Sequence, residues 1–252
     1  MNNELSDTRR SFLRAMTAVG AGLVLNGCRG EGKTDVKPGT PESPKKAEEA
    51  KGGEVTATED LMREHGVLRR ALLVYSEAAV KLRGDPLAIA PDALQKTANL
   101  FRAFGEEYHE RKLEEAYIFP AVKKAGGPAA AYPDILVAQH VRGREITNYI
   151  LAATKGDKQG ISDAAQLAEA LDALVRMYRA HAAREDTIVF PAWKQTLSAE
   201  QLDEMNDKFE DIEHEQFGED GFEDAVKQIG DIESELGLAD LAVFTAPAPS
   251  SR

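Results

Sequence analysis

The chain has 252 residues, 42% hydrophobic and 29% charged, enough for one domain of ordinary size plus appendages. Its 31 basic and 43 acidic residues leave a net charge of −12, and no basic patch interleaved with aromatics offsets that balance, so no nucleic-acid partner is expected. One cysteine, Cys28, excludes an intramolecular disulfide and a thiolate cage for zinc.

The N-terminus reads as an address. Thr8-Arg9-Arg10-Ser11-Phe12-Leu13-Arg14 resembles the twin-arginine export motif, and Ala15 to Leu25 form an apolar run too short for a membrane span of about 20 residues. Leu25-Asn26-Gly27-Cys28 resembles a bacterial lipobox, with Asn26 an unusual residue in it. Residues 1–27 are therefore expected to form a twin-arginine-type signal peptide. Residues 28–55, rich in Gly, Pro, Lys and Glu, cannot bury enough surface to order themselves and should form a disordered tether with a lipidated Cys28. The expected location is periplasmic or cell-surface, with the membrane contacted through the lipid anchor only.

Helical periodicity dominates from Thr56 onward. Thr56-Ala-Thr-Glu59 resembles a capping box opening a first helix to about Leu82, with Leu61, His65, Leu68, Leu72 and Ala79 on one face and Gly84-Asp85-Pro86 ending it. A second helix starts near Pro91 and runs past Phe119-Pro120 to Gly126. The third begins near Pro133 with Leu136, His140, Gly143, Thr147 and Leu151 in phase, and stops around Gly156. The fourth spans Ser162 to about Leu197, with Leu167, Leu171, Leu174, Tyr178, His181 and Glu185 along its inward stripe. Short connections favour antiparallel neighbours, so residues 56–197 are predicted to form an all-α, up-down-up-down four-helix bundle. A C-terminal helical extension follows over 198–245, opened by the capping box Ser198-Ala-Glu-Gln201, and 246–252 should be a disordered tail. The acidic stretch Phe209 to Glu215 lacks the glycine of an EF-hand loop and reads as a solvated helix face, with His214 a surface residue.

The chain has five histidines, and four fall one apiece on the four bundle helices: His65, His109, His140 and His181. They lie early on the odd helices and late on the even ones, which in an up-down bundle is the same end. On an α-helix, residues four apart diverge by about 40°, so His181 and Glu185 can serve one metal from one face. A buried glutamate without a partner is expensive, which makes a metal or another partner there close to compulsory.

The second helix is out of step with the fourth. His109 stands five residues before Glu114, about 140° away in α geometry, while Glu110 stands four before. Either Glu110 and Glu114 are the pair, or an extra residue between Tyr108 and Leu113 is absorbed as a π-bulge that realigns His109 with Glu114. We expect the bulge, because unbroken α geometry would continue the inward stripe Phe101, Phe104, Tyr108 with Lys112. It leaves Glu110 near enough to be a further ligand or an outer acceptor. Tyr108 and Tyr178 are core aromatics able to hydrogen-bond near such a site. The two Phe-Pro pairs should kink and pack the helix ends.

Histidine on the first helix, His-plus-Glu before Phe119-Pro120, histidine on the third, and His181-x-x-x-Glu185 before Phe190-Pro191 together resemble the hemerythrin family, in its broader HHE cation-binding branch. The similarity covers about residues 57–196. What the resemblance implies is two iron ions, with manganese also compatible, held in the bundle by His65, His109, Glu114, His140, His181 and Glu185, with Glu114 and Glu185 as bridges. Glu110 joins them as a further ligand, as in the hemerythrin-like domain of an iron-sensing F-box protein. The oxygen-carrying members place a second histidine four residues after the first on the third helix, where this chain has Arg144. Replacing imidazole by a hard carboxylate donor disfavours reversible oxygen carriage. The implied function is binding or sensing O2, peroxide, NO or iron rather than catalysis. A di-iron peroxidase or oxidase using the same site, and a metal-free membrane-tethered scaffold, are the competing readings.

Overall fold

Residues 55–155, 161, 163–218 and 221–249 are described by a computed structural model, and the expected signal peptide, the lipobox-like segment with Cys28 and most of the expected tether lie outside them. Helix α1 is Ala57–Gly84 and α2 runs over 91–125; α3 is Pro133–Ala153, α4 covers 164–194, α5 is Ala199–Phe217 and α6 is Gly221–Leu236. The described residues contain no strand. The chain is an all-α helical bundle, as its periodicity predicts. Among the described residues no helix is long and apolar enough to cross a membrane.

Local chemistry sets the helix starts. Thr56 and Glu59 form the reciprocal capping box at α1, and Ser198 with Gln201 does the same at α5. Prolines occupy the first turns of α2 and α3, where a missing N–H costs nothing. Gly126 and Gly218 close α2 and α5 with positive φ, at 76° and 88°.

Helices α1 to α4 form a ring, each against the next and α4 back against α1. Cross-links show that every adjacent pair runs antiparallel. Arg83 near the end of α1 pairs with Asp172 near the start of α4, while His65 near the start of α1 meets Asp186 late in α4. On α2 and α3, Gln95 reaches Leu151 whereas Lys123 reaches Asp134. Inside the ring, Leu61, Tyr75, Leu94, Phe101, Leu113, Ile150, Leu171 and Leu174 are buried.

The extension packs on the outside of this ring. Helix α6 presents Phe222, Ala225, Ile229 and Ile232 to α1 and the first part of α2. Arg70 on α1 grips Glu233, and the Arg63 guanidinium lies 4.4 Å from the Phe222 ring centre. The acidic stretch on α5 departs from the solvated face expected of it. Phe209, Ile212 and Glu213 are buried, while His214 is exposed. The Trp193 ring stacks on Phe209 at 5.7 Å and 10° and closes the joint between α4 and α5.

Trp193→Ala should lower unfolding stability by about 3–5 kcal/mol, read by urea denaturation with circular dichroism. A loss below about 1 kcal/mol would show that this joint is not a packed part of the core.

Candidate metal centre

Both even helices change winding at their carboxylates. Helix α2 is α-helical over Pro91–Leu100, π-helical over Phe101–Ile118 and α-helical again over Phe119–Ala125. Helix α4 is α-helical over Ala164–Arg184, π-helical over Glu185–Val189 and α-helical over Phe190–Lys194. The widened turns end alike: Phe119 N–H bonds the Glu114 carbonyl, and Phe190 N–H bonds that of Glu185, each five residues back. The proline that follows each Phe lacks an N–H and crowds the carbonyl four residues before it, which a wider turn relieves. On α2 the π winding extends well beyond one bulge, and it brings His109 and Glu114 onto one face. The second π turn, on α4, has no counterpart in the expectations from sequence, because a four-residue His-to-Glu spacing already fits an α-helix.

The four histidines converge as two pairs. His65 and His109 bring their Nε2 atoms within 3.0 Å, and His140 and His181 theirs within 3.1 Å, with nearly the same ring geometry in both pairs. Two carboxylates span the pairs. Glu114 places Oε1 3.4 Å from His109 Nε2 and Oε2 3.4 Å from His140 Nε2. Glu185 places Oε1 3.0 Å from His181 Nε2 and Oε2 3.5 Å from His65 Nε2. All six side chains are buried. None of the four carboxylate oxygens of Glu114 and Glu185 has a hydrogen-bond partner. Fully desolvated carboxylate oxygens facing imidazole nitrogens are the donor set of a hard or borderline cation.

The outer nitrogens show which way each ring faces. Glu64 takes His109 Nδ1 at 2.6 Å, Glu115 takes His140 Nδ1 at 2.9 Å, Gln139 takes His181 Nδ1 at 2.9 Å, and Asp186 takes His65 Nδ1 at 2.7 Å. With the Nδ1 proton so held, each Nε2 lone pair points inward. These four acceptors are missed by a reading of helix faces, since each sits one residue from a site residue and serves the histidine of the neighbouring helix. Together they close a belt: α1 to α2, α2 to α3, α3 to α4 and α4 to α1.

Glu110 is placed differently from the inner six. Its Oε1 accepts from the Tyr178 hydroxyl at 2.6 Å and its Oε2 from Arg144 at 3.3 Å. It faces the outer Nδ1 of His140, 3.8 Å away. Arg144 turns inward to Glu110 and also donates to Glu115 at 2.6 Å. Tyr178 reaches Glu110 only because residue 143 is glycine: a Cβ there would stand 2.0 Å from the Tyr178 oxygen. Phe190 stacks on His65 and Phe119 on His140, so the Phe-Pro pairs pack directly against the histidines. A small cavity between α1, α2 and α4, bordered by Leu68, Leu72, Ala182, Glu110 and Tyr178, reaches His65, His109 and His181 and has room for about one water-sized molecule.

The electrostatics describe a strained set of charges. Burial and the nearby Glu185 carboxylate push Glu114 up to about 8. Burial also opposes ionisation of Glu185, but the adjacent His181 holds it below the usual carboxylate range. Burial lifts Glu110 to about 7 despite the Tyr178 hydrogen bond. Burial works against charge on His109 and His181 too; Glu114 and Glu64 on one side, and Glu185 and Glu114 on the other, outweigh it and raise both. His65 and His140 are lowered, mainly by burial.

Comparison with known proteins gives a consistent answer. The hemerythrin HHE cation binding domain matches residues 56–193, and a second, overlapping match covers 133–240. Proteins described as uncharacterized from Mycobacterium bovis and from two strains of Mycobacterium tuberculosis are each 41% identical over 238 residues, spanning 94% of this chain and 90% of theirs. No solved structure matches it significantly. The chain belongs to the hemerythrin HHE cation-binding family, and its buried His and Glu clusters are suited to iron or a similar metal.

Chelator-treated protein should lose thermal stability between pH 6.5 and about 8. Glu114 ionises near 4.5 when unfolded, so the folded state that keeps it protonated is penalised as pH climbs toward 8. His181, raised against its burial chiefly by the ionised Glu185, adds stability that is complete below 6.5 and lost as pH rises through its folded value. Metal-loaded protein should show a much flatter profile over the same range in differential scanning calorimetry. Parallel profiles for the two forms would contradict a cation held by these carboxylates.

Proposed function

We propose that His65, His109, Glu114, His140, His181 and Glu185 hold two iron ions side by side and that the protein binds or senses a small molecule there: O2, peroxide or NO. The observation that carries this reading is the set of four buried carboxylate oxygens on Glu114 and Glu185, without hydrogen-bond partners, between two pairs of inward-facing imidazoles. His65, His109 and Glu114 would hold one ion and His140, His181, Glu114 and Glu185 the other, with Glu185 also 3.5 Å from His65. Manganese is compatible with the same donors. When bound, such an ion supplies an open coordination position for a diatomic or peroxide ligand.

The chain's own residues define what can reach that position. The cavity admits only a very small molecule, and Leu68, Leu72 and Ala182 make part of its wall apolar. Glu110 lines the same space, tethered by Tyr178 and Arg144, so it can accept or return a proton beside an incoming ligand without leaving its place. On this reading Glu110 acts from outside the inner six. Where the oxygen carriers place a fifth imidazole this chain has Arg144, whose guanidinium bonds Glu110 and Glu115. The missing imidazole favours sensing or binding over reversible oxygen carriage.

For residues 1–55 we propose export by the twin-arginine route and lipidation at Cys28, supported by the motif order in the sequence. Export in a folded state fits a site that is loaded before translocation.

Purified protein should carry about two irons per chain by elemental analysis, His140→Ala about one, and His214→Ala, altered at the exposed residue on α5, about two. Metal lost with His214→Ala but retained with His140→Ala would overturn the assignment.

A further inference from the structure

The two halves of the centre are near copies, and one substitution between them stands out. On α1 the run is Glu64-His65 with Arg69 four residues after the histidine; on α3 it is Gln139-His140 with Arg144 at the same spacing. Residues 64 and 139 hold equivalent places, each accepting from Nδ1 of the histidine on the following helix, at 2.6 Å from His109 and 2.9 Å from His181. The other two acceptors match in charge. Asp186, behind His65, is answered by Arg69, and Glu115, behind His140, is answered by Arg144. Glu110 lies 3.8 Å from His140 Nδ1, beyond hydrogen-bond distance, with Tyr178 and Arg144 on its oxygens. The pairs therefore differ chiefly in that His109 leans on a carboxylate and His181 on an amide.

That difference has a direct electronic consequence. A carboxylate accepting from Nδ1 draws its proton away and leaves Nε2 a stronger donor; a neutral amide does so much less. Glu64 is nearly fully buried, at 1% exposure, so solvent does not dilute its effect, and its second oxygen receives the neutral Tyr108 hydroxyl at 2.9 Å. Each position has two imidazoles and an oxygen of Glu114, and Glu185 sits closer to His181, at 3.0 Å, than to His65, at 3.5 Å, so the carboxylate behind His109 is what favours the His65/His109 side.

We propose that the two metal positions are inequivalent and load in order, the His65/His109 position first, with Glu64 and Gln139 as the positioning residues that set the order. This rests on the two-ion reading of the centre. Outer acceptors of this kind change metal affinity by roughly 10- to 100-fold, which is the separation expected between the two positions.

The test uses the full chain stripped of metal and titrated with Co(II), followed by calorimetry and by the visible absorption of bound cobalt. The unaltered chain should take up two equivalents in two steps, about 10-fold or more apart. His140→Ala should keep the tighter step and His65→Ala the weaker one. Glu64→Gln should weaken the first step by about 10-fold, with a shift in the cobalt spectrum of that step. Gln139→Glu should tighten the second step by a similar factor; a gain of affinity cannot come from damage to the fold. Two equivalents with indistinguishable affinities, or a gap that Gln139→Glu leaves unchanged, would overturn the proposed order while leaving the two-ion reading in place. Fewer than two equivalents in the unaltered chain would overturn both.

Discussion

Two carboxylates buried between four imidazoles are the constraint on which the rest of the bundle depends. Glu114 and Glu185 are fully buried, out of reach of bulk water. A pair of anions in that setting is costly unless positive charge lies among them, and the protein offers only imidazoles that are themselves desolvated. Protonation of one of them is a partial answer, and burial together with the Glu185 charge pushes Glu114 that way. A bound divalent or trivalent cation would answer it more fully, because the buried imidazole nitrogens and carboxylate oxygens would become its donors.

The surrounding architecture serves to keep those donors in register. Each of the four bundle histidines is held at its outer nitrogen by a residue of the preceding helix in the ring, so the belt that fixes ring orientation also ties the four helices together at one level. The π turns on α2 and α4 allow a carboxylate to face inward just before a Phe-Pro step, and the two phenylalanines then cover the histidines they lie against. The extension joins the same network. Glu213 on α5 bonds the Phe222 N–H at the start of α6 and lies 3.5 Å from the Tyr108 hydroxyl, which in turn bonds Glu64. The outer helices are thus linked to the centre through Tyr108 and Glu64.

Much of the fold and the inner donors was legible in the sequence. Periodicity marked the helices because each buries one apolar stripe, and four histidines at the same end of alternating helices could be placed without coordinates. The five-residue gap from His109 to Glu114 announced non-α winding on α2, since α geometry sets the two far apart. On α4 the spacing from His181 to Glu185 concealed the π turn; the repeated Phe-Pro was its only sign. Glu64, Glu115, Gln139 and Asp186 could not be read from single helices, because their partners lie on neighbours and depend on how each helix is rotated. The burial of Glu213 was hidden for a similar reason: an acidic stretch looks solvated until the helix covering it is known.

Anomalous diffraction at the iron edge from crystals of iron-loaded protein tests the central claim most directly. The account predicts two peaks inside the ring, about 3.5–4 Å apart, each near one histidine pair and both within reach of Glu114 and Glu185. A single peak, or peaks lying away from these two carboxylates, would contradict it.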